Sequence, residues 1–487
     1  EDLDADTSAG DILDGGWGDD VILGTAGPDT LTGGGNNDII FGLGGFDIID
    51  GREGDDLIFG DDGELVAIGS PGTSSGGSSS STRLHDPSGT FKTDGLEPGD
   101  FVRNITEGTF VRIAKILSNT ELDTVALTNW SGDAYSFFVP VPFAGGDADD
   151  IQGGTGNDLI FGGDGGDIIQ GGDDDDEVRG GSGADVIFGD NGSVVGGVPT
   201  PSPGPGDGND TLLGQGEPDK IFGGGGTDIM DGGAGADEVK GGDGEDAIRG
   251  NKGSDVLDGE GGSDTYLLSF QGGRNVSLQK VLDTGPTADI DRFIAQGTIF
   301  DDLFLLRANA DGSIAFVALI NSDIEVERIN YFGVERIVVN GSFGEDHFAV
   351  DDTAAEVTLN GEFGDDSFQI GQLFRTERGD IVDTDGDLRS DLTGIAIEDA
   401  FATIETTRGF LSNGISAPLV ANGGLGADNF VVFHNKAVLS LNGDEGDDIF
   451  EVRAFALAGS QEPQRERTDI SGGAGADLVQ YAVNAPV

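Results

Sequence analysis

The sequence predicts an all-β protein: parallel β-roll or β-solenoid blocks, an inserted small antiparallel β domain and a C-terminal irregular β-helix. Three observations predict this fold. Aspartate recurs every nine residues over long stretches, an apolar residue follows each of these aspartates two positions later, and glycine supplies 88 of the 487 residues. Short alternating segments between glycine-rich turns are the pattern of short, stacked strands.

Charge and composition exclude several classes of protein. The chain carries 91 acidic and 25 basic residues, a net charge of −66, and it has no cysteine. Disulfide, zinc-thiolate and cysteine-nucleophile chemistry are therefore excluded. So acidic a surface repels phosphates, which predicts no nucleic-acid partner. No apolar run approaches the roughly 20 residues of a membrane span, which predicts no membrane insertion.

The nine-residue period organises more than a third of the chain. Its aspartates fall into three blocks, in residues 1–61, 145–191 and 207–267, and all units within a block share one register. A disordered acidic polymer would not show this periodicity. The aspartates are Asp11, Asp20, Asp29, Asp38, Asp47, Asp56, then Asp149, Asp158, Asp167, Asp176, Asp185, and finally Asp210, Asp219, Asp228, Asp237, Asp246, Asp255 and Asp264.

These units resemble the repeats-in-toxin (RTX, haemolysin-type) family, whose unit is G-G-x-G-x-D-x-U-x with U apolar. The segments GGSGADVIF at 180–188 and GGAGADEVK at 232–240 fit this unit fully. The resemblance implies a parallel β-roll in which a calcium ion lies between two stacked turns. It also implies that the chain is a segment of a large secreted RTX-like protein.

The residue types suit calcium independently of the resemblance. Closely spaced glycines permit the positive φ angles of sharp turns, and carbonyl and carboxylate oxygens are the ligands that Ca²⁺ prefers. Two nine-residue units make one coil, so turns on the same edge lie 18 residues apart. Pairs at that spacing predict about a dozen ions. Each ion would be bound by two stacked turns, would hold them together and would offset negative charge. The alternative for any single aspartate is an ordinary solvated turn residue.

One outward face of the first block is unusually apolar. Its side chains are Val21, Leu23, Ile39, Phe41, Leu57 and Phe59. A solvated sheet face is normally polar, so we expect another domain or a neighbouring subunit to cover this face. The alternative is a set of residual exposed aromatic side chains on a solvated roll.

Two insertions separate the blocks. Residues 62–144 open with a Ser/Gly tract, Gly69–Ser81, that is typical of a flexible linker. The alternating apolar positions that follow predict a small antiparallel β domain, with a docking role and a neutral spacer as alternatives. Residues 192–206 contain alternating prolines, which predict a stiff, extended linker.

The remaining chain is predicted as a β-rich connecting domain over 268–340 and an irregular β-helix over 341–487. Five isolated calcium-type turns place Asp346, Asp366, Asp428, Asp448 and Asp477 as further candidate ligands. A separate D-x-D-G-D-x-x-x-D segment resembles calcium loops but departs from the EF-hand order. Its candidate ligands are Asp383, Asp385, Asp387 and Asp391.

A search for catalytic motifs predicts that the chain is not an enzyme. It has three histidines and no H-E-x-x-H segment. A G-x-S-x-G match at 72–76 lies in the Ser/Gly tract, without the strand and helix that a nucleophile elbow needs. The number of acids leaves a glycosidase pair open, but nothing singles one out.

The sequence therefore predicts an extracellular or cell-surface protein that folds on binding calcium and associates with copies of itself into a fibre, layer or matrix. The runner-up is the export and folding module of a larger secreted toxin or enzyme. A carbohydrate- or ice-binding adhesin segment is a third alternative, although ice binding favours flat threonine rows, and only Thr30 and Thr32 suggest one.

Overall fold

A computed structural model gives the fold of the chain. It describes residues 2–4, 10–73, 83–85, 101–104, 110–116, 121–124, 134–142, 146–202, 204–272, 278–286, 288–309, 315–321, 327–379, 384, 389–390, 396, 399–406, 408–455 and 467–484. These residues form strands and turns without any α-helix. Among them there is accordingly no helix long and apolar enough to cross a membrane. Two compact units divide the chain, Glu1–Gly232 and Gly233–Val487.

The first unit is a roll of two parallel sheets, because each nine-residue repeat supplies one short strand and one turn. One sheet contains, in order of pairing, Asp2–Asp4, Val21–Thr25, Ile39–Leu43, Leu57–Phe59, Leu159–Asp164, Glu177–Ser182, Thr211–Gly216 and Ile229–Asp231. The other contains Ile12–Trp17, Thr30–Gly35, Ile48–Glu53, Asp150–Thr155, Ile168–Asp173, Val186–Phe188 and Lys220–Gly225.

The apolar residue two positions after each aspartate points into the space between the sheets. Ile22, Leu31 and Ile40 are each 0% exposed, and the later repeats of the unit behave alike. Side chains alternate along a strand, so burial of this position turns its two neighbours outward. The predicted inward and outward positions are therefore confirmed.

The insertions interrupt the sequence repeat but not the sheets. Strand Ile48–Glu53 pairs in register with Asp150–Thr155, so the coil resumes although the paired residues lie 102 positions apart. The shorter insertion contains an antiparallel hairpin, Gly192–Val195 with Val198–Pro201. The predicted extended linker is thus wrong for 192–201. Gly196 and Gly197 both have positive φ, +61° and +79°, the geometry of a tight two-residue hairpin turn.

The larger insertion forms the predicted antiparallel β domain. Its six strands, in sheet order, are Gly63–Thr73, Ala134–Pro142, Phe101–Asn104, Phe110–Ile116, Glu121–Thr124 and Arg83–His85. Leu84, Val102, Ile113 and Phe137 are its buried core. Residues 69–73 belong to the first strand, so the predicted linker is wrong there, and 74–82 lie outside the described residues.

The apolar outward face of the first block is covered from within the chain. Ile39, Leu57 and Phe59 are 3%, 1% and 1% exposed, and Val21 and Phe41 pack against them half-buried. The cover comes from the inserted sheet, through Leu65 and Phe138. Phe41 and Phe59 stack with ring centroids 4.8 Å apart, close to the spacing of neighbouring strands.

The second unit also has two parallel sheets, with longer and less regular coils. One contains Ala234–Gly235, Ala247–Arg249, Lys252–Gly253, Thr265–Ser269, Arg292–Gln296, Arg336–Asn340, Glu356–Phe363, Leu419–Leu425, Leu439–Glu445 and Thr468–Ser471. The other contains Glu238–Asp243, Val256–Gly261, Leu278–Leu282, Leu303–Ala308, Ala315–Leu319, Glu327–Phe332, His347–Val350, Ser367–Ile370, Asn429–Val432, Ile449–Phe455 and Leu478–Asn484. A three-stranded antiparallel sheet, Leu373–Phe374, Thr403–Thr406 and Gly409–Ser412, is attached to this unit.

The described residues within 268–340 are part of the roll and do not form the separate connecting domain that the sequence predicted. Strand Arg292–Gln296 pairs in parallel with Thr265–Ser269 before it and Arg336–Asn340 after it. One antiparallel strand, Ala315–Leu319, interrupts the opposite sheet. Beyond it the inward column becomes aromatic, Phe304–Phe348–Phe368–Phe430–Phe450, with centroids 4.7–4.9 Å apart.

Candidate metal centre

Most repeat aspartates end a six-residue turn whose backbone is left-handed at its second and fourth positions. In the turn Gly33–Asp38, Gly34 has φ +125° and Asn36 has φ +80°. Leu43 and Arg52 hold the second position of later turns at φ +81° although neither is glycine. A left-handed backbone is unfavourable for such residues, so the stacked coils impose this shape on the turn.

One carboxylate oxygen of each aspartate, Oδ1, links consecutive coils. The amide of Asp20 donates to Oδ1 of Asp38 at 2.8 Å, and the amide of Asp38 donates to Oδ1 of Asp56 at 2.8 Å. The link also crosses the large insertion, from the amide of Asp47 to Asp149 at 2.7 Å. We call these residues the ladder aspartates, because each accepts from the coil before it.

The second carboxylate oxygen, Oδ2, is buried and lacks a hydrogen-bond donor in most described turns. Burying a charged oxygen without a partner is costly, so native proteins rarely do so. The side chains that share this state are Asp11, Asp38, Asp47, Asp56, Asp149, Asp167, Asp176, Asp185, Asp210, Asp264, Asp346, Asp366, Asp428 and Asp448. Asp20, Asp158, Asp219, Asp228, Asp237 and Asp246 are buried at the same turn position.

Backbone oxygen completes the surroundings of Oδ2. A Cβ added to Gly33 would overlap Oδ2 of Asp38 and the carbonyl oxygen of Gly51, from the next coil. The glycine that opens other turns leaves the same space, as at Gly153 for Asp158. Carboxylate and carbonyl oxygens therefore face one cradle, and these hard donors fit a calcium ion.

Burial of these carboxyl groups makes their ionisation unfavourable. Desolvation raises the pKa of Asp38 to about 7 and that of Asp47 and Asp56 to about 8. Desolvation also raises the pKa of Asp149 and that of Asp210 to about 7. A bound cation would favour the ionised form and remove this penalty.

The isolated C-terminal turns join the same kind of ladder. The amide of Asp346 donates to Asp366 at 2.8 Å, and that of Asp366 donates to Asp428 at 2.8 Å across 62 residues. Asp428 continues to Asp448 at 2.9 Å. Asp477 accepts from Asp448 at 3.2 Å but is exposed, because it lies on the last described coil.

Two predicted ligands, Asp255 and Asp29, differ from this pattern, and one predicted group of ligands is not described by the structure. Oδ2 of Asp255 accepts a hydrogen bond from Nε2 of Gln279 at 3.0 Å, and the carboxylate of Asp29 is bonded by Thr25 within its own turn. The other group, Asp383, Asp385, Asp387 and Asp391, lies outside the described residues.

The sequence search missed several acids that continue the ladder. Asp291 accepts from the amide of Asp264 at 2.8 Å, and Glu335 accepts from that of Asp291 at 3.0 Å. Carboxylate oxygens of Asp283, Asp291 and Glu335 lie within 4.8 Å of one another. Asp302 donates its amide to Asp346 at 2.8 Å. Asp291 and Asp302 each precede an inward Phe by two positions, a signal that could have identified them.

Two further aspartates accept backbone hydrogen bonds from neighbouring coils at the points where the chain enters the two insertions. Asp61 accepts from the amide of Asp164 at 2.7 Å. Asp190 accepts from the amides of Gly208 and Gly225, at 3.0 and 2.7 Å. Each follows a Phe-Gly pair and precedes Asp-Gly or Asn-Gly, so the repeated F-G-D-x-G segment could have revealed both.

The two parallel sheets, the left-handed turns and the aspartate ladder define a calcium-binding β-roll. The family model of the RTX calcium-binding nonapeptide repeat, which spans four copies of the repeat, matches the chain in several overlapping stretches. They are residues 9–31, 14–49, 32–64, 143–178, 161–194, 205–239 and 240–268. These stretches cover about a third of the chain and carry RTX calcium-binding repeats.

No curated protein matches the chain in sequence. Among solved structures, the tailspike Gp54 of Acinetobacter baumannii bacteriophage AP22, in complex with A. baumannii capsular saccharide, is similar at 8% identity. That comparison covers 95% of this chain and 71% of the tailspike chain, with a TM-score of 0.15.

Proposed function

We propose that this chain is an extracellular structural or adhesive protein whose folding requires calcium. The observation that carries the proposal is the buried, unpartnered Oδ2 of ladder aspartates such as Asp38, Asp47 and Asp56, repeated along the roll. A cation that binds the folded turns and not the unfolded chain stabilises the fold by mass action. Folding and calcium binding are then one event.

The proposed location follows from the supply of calcium. Sites built from turn oxygens in extracellular modules have affinities of about 0.1–1 mM. The cytosol holds too little free calcium to fill them, so the chain would fold after secretion. RTX repeats are typical of secreted bacterial proteins, which agrees with this order of events.

The surroundings of the described histidine side chains favour a non-enzymatic role. Nδ1 of His347 contacts the hydroxyl of Ser367, and Nδ1 of His434 contacts the carbonyl oxygen of Ser412 at 3.1 Å. In neither of these two contacts is the partner a carboxylate, the group that orients the histidine of an acyl-transfer triad. We therefore propose a binding and structural role.

Self-association is the finer part of the proposal, and it rests on an open core. Val479 stands at the inward position of the last described coil, yet it is 54% exposed, whereas Phe450, one coil earlier, is 0% exposed. Tyr481 on the same strand is 67% exposed. An apolar core and an edge strand that pairs on one side among the described residues together form a stacking surface.

The same open coil also favours the runner-up function. Further coils of a longer secreted toxin or enzyme would cover Val479 as well as a second copy would. Light scattering of this chain in about 5 mM calcium separates the two. Large species that dissolve with chelator support self-association, and a compact monomer in calcium supports the export and folding module.

A further inference from the structure

In two turns of the roll, a threonine of the same turn satisfies the carboxylate of the aspartate. They are Gly24–Asp29 in the first unit and Gly297–Asp302 in the second, and threonine occupies the second position of both. The amide of Thr25 donates to Oδ2 of Asp29 at 2.6 Å, and the amide of Thr298 donates to Oδ2 of Asp302 at 2.6 Å.

The threonine hydroxyls repeat the same contacts in both turns. Oγ1 of Thr25 lies 3.3 Å from Oδ1 of Asp29 and 3.0 Å from its Oδ2, and Oγ1 of Thr298 lies 2.9 Å from Oδ1 of Asp302. Each hydroxyl also accepts an amide two residues later, from Gly27 and Phe300, both at 3.1 Å. Two unrelated stretches of sequence thus build one arrangement.

The backbone of these two turns also differs. Positive φ occurs at the second position of the other described turns that no insertion interrupts, even where that residue is Leu43, Arg52 or Glu362. Thr25 and Thr298 are absent from the positive-φ residues. A β-branched side chain strongly disfavours positive φ, so threonine turns the backbone the other way and brings its amide toward the carboxylate.

Ser342 shows that a hydroxyl alone is not enough. It occupies the same position in the turn of Asp346, with φ +83°, and Oδ2 of Asp346 has no hydrogen-bond donor. Serine lacks the second Cβ substituent of threonine, and its turn keeps the left-handed shape. The β-branch therefore distinguishes the two kinds of turn.

We infer that Thr25 and Thr298 replace the cation in their turns, so that Asp29 and Asp302 hold no calcium while the orphaned ladder aspartates do. This inference rests on the proposed calcium-dependent function and specifies which turns exercise it. Amide and hydroxyl donors already meet the carboxylate oxygens of Asp29 and Asp302. Each unit thereby contains a turn of this kind, whose closure does not need metal.

The test locates ions turn by turn in the full chain. Crystals grown in calcium and soaked with Tb³⁺, a hard cation with strong anomalous scattering, should show a peak beside Asp38 and none beside Asp29 or Asp302. Equilibrium dialysis with ⁴⁵Ca should show one ion more for Thr25→Ser than for the natural sequence. Thr25→Val, which keeps the β-branch, should show no additional ion.

The outcomes separate this inference from the proposed function. A Tb³⁺ peak at Asp29 as strong as that at Asp38 would overturn the inference alone, as would an unchanged ion count for Thr25→Ser. Absence of ions from every turn would overturn the proposed function and the inference with it. Should Thr25→Ser not fold, Asp29→Asn should leave the ion count unchanged while Asp38→Asn lowers it by one; equal losses would contradict the inference.

Discussion

At the scale of single residues, the two oxygens of one carboxylate have different surroundings and different roles. Oδ1 of Asp47 accepts the amide of Asp29 at 2.7 Å and fixes the stacking of coils, whereas its Oδ2 is buried without a donor. The first contact needs only a backbone amide and no metal. Under the proposed function, the second oxygen makes the folded roll depend on a cation.

Asp47→Asn separates these two tasks. The asparagine side chain keeps an oxygen that can accept the hydrogen bond from the Asp29 amide, but the substitution removes the charged oxygen that would bind the cation. We expect a calcium titration to saturate with one ion fewer and a higher midpoint. Asp50→Asn is the matched control, because Asp50 is partly exposed and pairs only with Arg52 at 3.1 Å. Equal effects of both variants would contradict the assignment.

Calcium-free protein should be more stable in acid than at neutral pH. Burial raises the pKa of Asp38, Asp47 and Asp56 to about 7–8 in the folded state, above the unfolded value of 3.8. The folded chain then binds more protons, so this contribution is full below pH 3.8 and is lost as pH rises to about 8.

Circular dichroism of metal-free protein measures this dependence. We expect strand signal near pH 4.5 that declines toward pH 8, and calcium added near pH 6.5 should restore it with release of protons. A metal-free signal that strengthens from pH 4.5 to pH 8 would contradict the burial of these carboxyl groups.

The sequence predicts most of the site at this scale, because the period fixes which aspartates share an edge. It did not predict that Thr25 meets Asp29, since this depends on a φ angle that the repeat pattern does not encode. It also missed Asp291 and Glu335, because long coils change the spacing from 18 to 27 and then 44 residues.

At the scale of elements, the inserted sheet protects the apolar face of the roll. Phe59 is 1% exposed and stacks between Phe41 and Phe161, at 4.8 and 5.0 Å. Leu65 and Phe138 of the insertion pack against this column. The insertion is therefore part of the packing of the first unit and not only a spacer.

Phe59→Ala should cost about 3–5 kcal/mol in the free energy of unfolding of the first unit, because it leaves a cavity in the column. Denaturant unfolding in saturating calcium measures the loss, and protease cleavage within 62–144 should become faster. Phe46→Ala is the control, since Phe46 is 51% exposed and its loss should cost under about 0.5 kcal/mol. Loss of stability in the control alone would contradict the packing.

Alternation along 82–144 predicted an antiparallel sheet, and an apolar outward face predicted a cover. What could not be read was that the insertion itself supplies the cover, or that the roll resumes in register after it. Register across 102 residues depends on sheet pairing and the amide link from Asp47 to Asp149, which local sequence does not report.

At the scale of the whole molecule, the net charge of −66 opposes compaction. About a dozen calcium ions would remove roughly a third of it while satisfying the buried oxygens. The same ions should also permit close approach of two copies, because they reduce repulsion between acidic surfaces.

Val479→Asp tests the proposed stacking of copies. A charge at this inward, half-exposed position should prevent large species in calcium while leaving compaction and ion count unchanged. Gln480→Asp, at the neighbouring exposed position, should associate as the natural chain does. Large species that persist in Val479→Asp would rule out this coil as the contact.

The central claim is that calcium and folding are coupled, and sedimentation velocity tests it most directly. The chain would be measured in about 5 mM calcium and again with chelator, which fill and empty sites of millimolar affinity. We predict a slow, expanded monomer with chelator that becomes compact in calcium. An equally compact monomer in both conditions would contradict the account, because the aspartate ladder would then hold the roll together without metal.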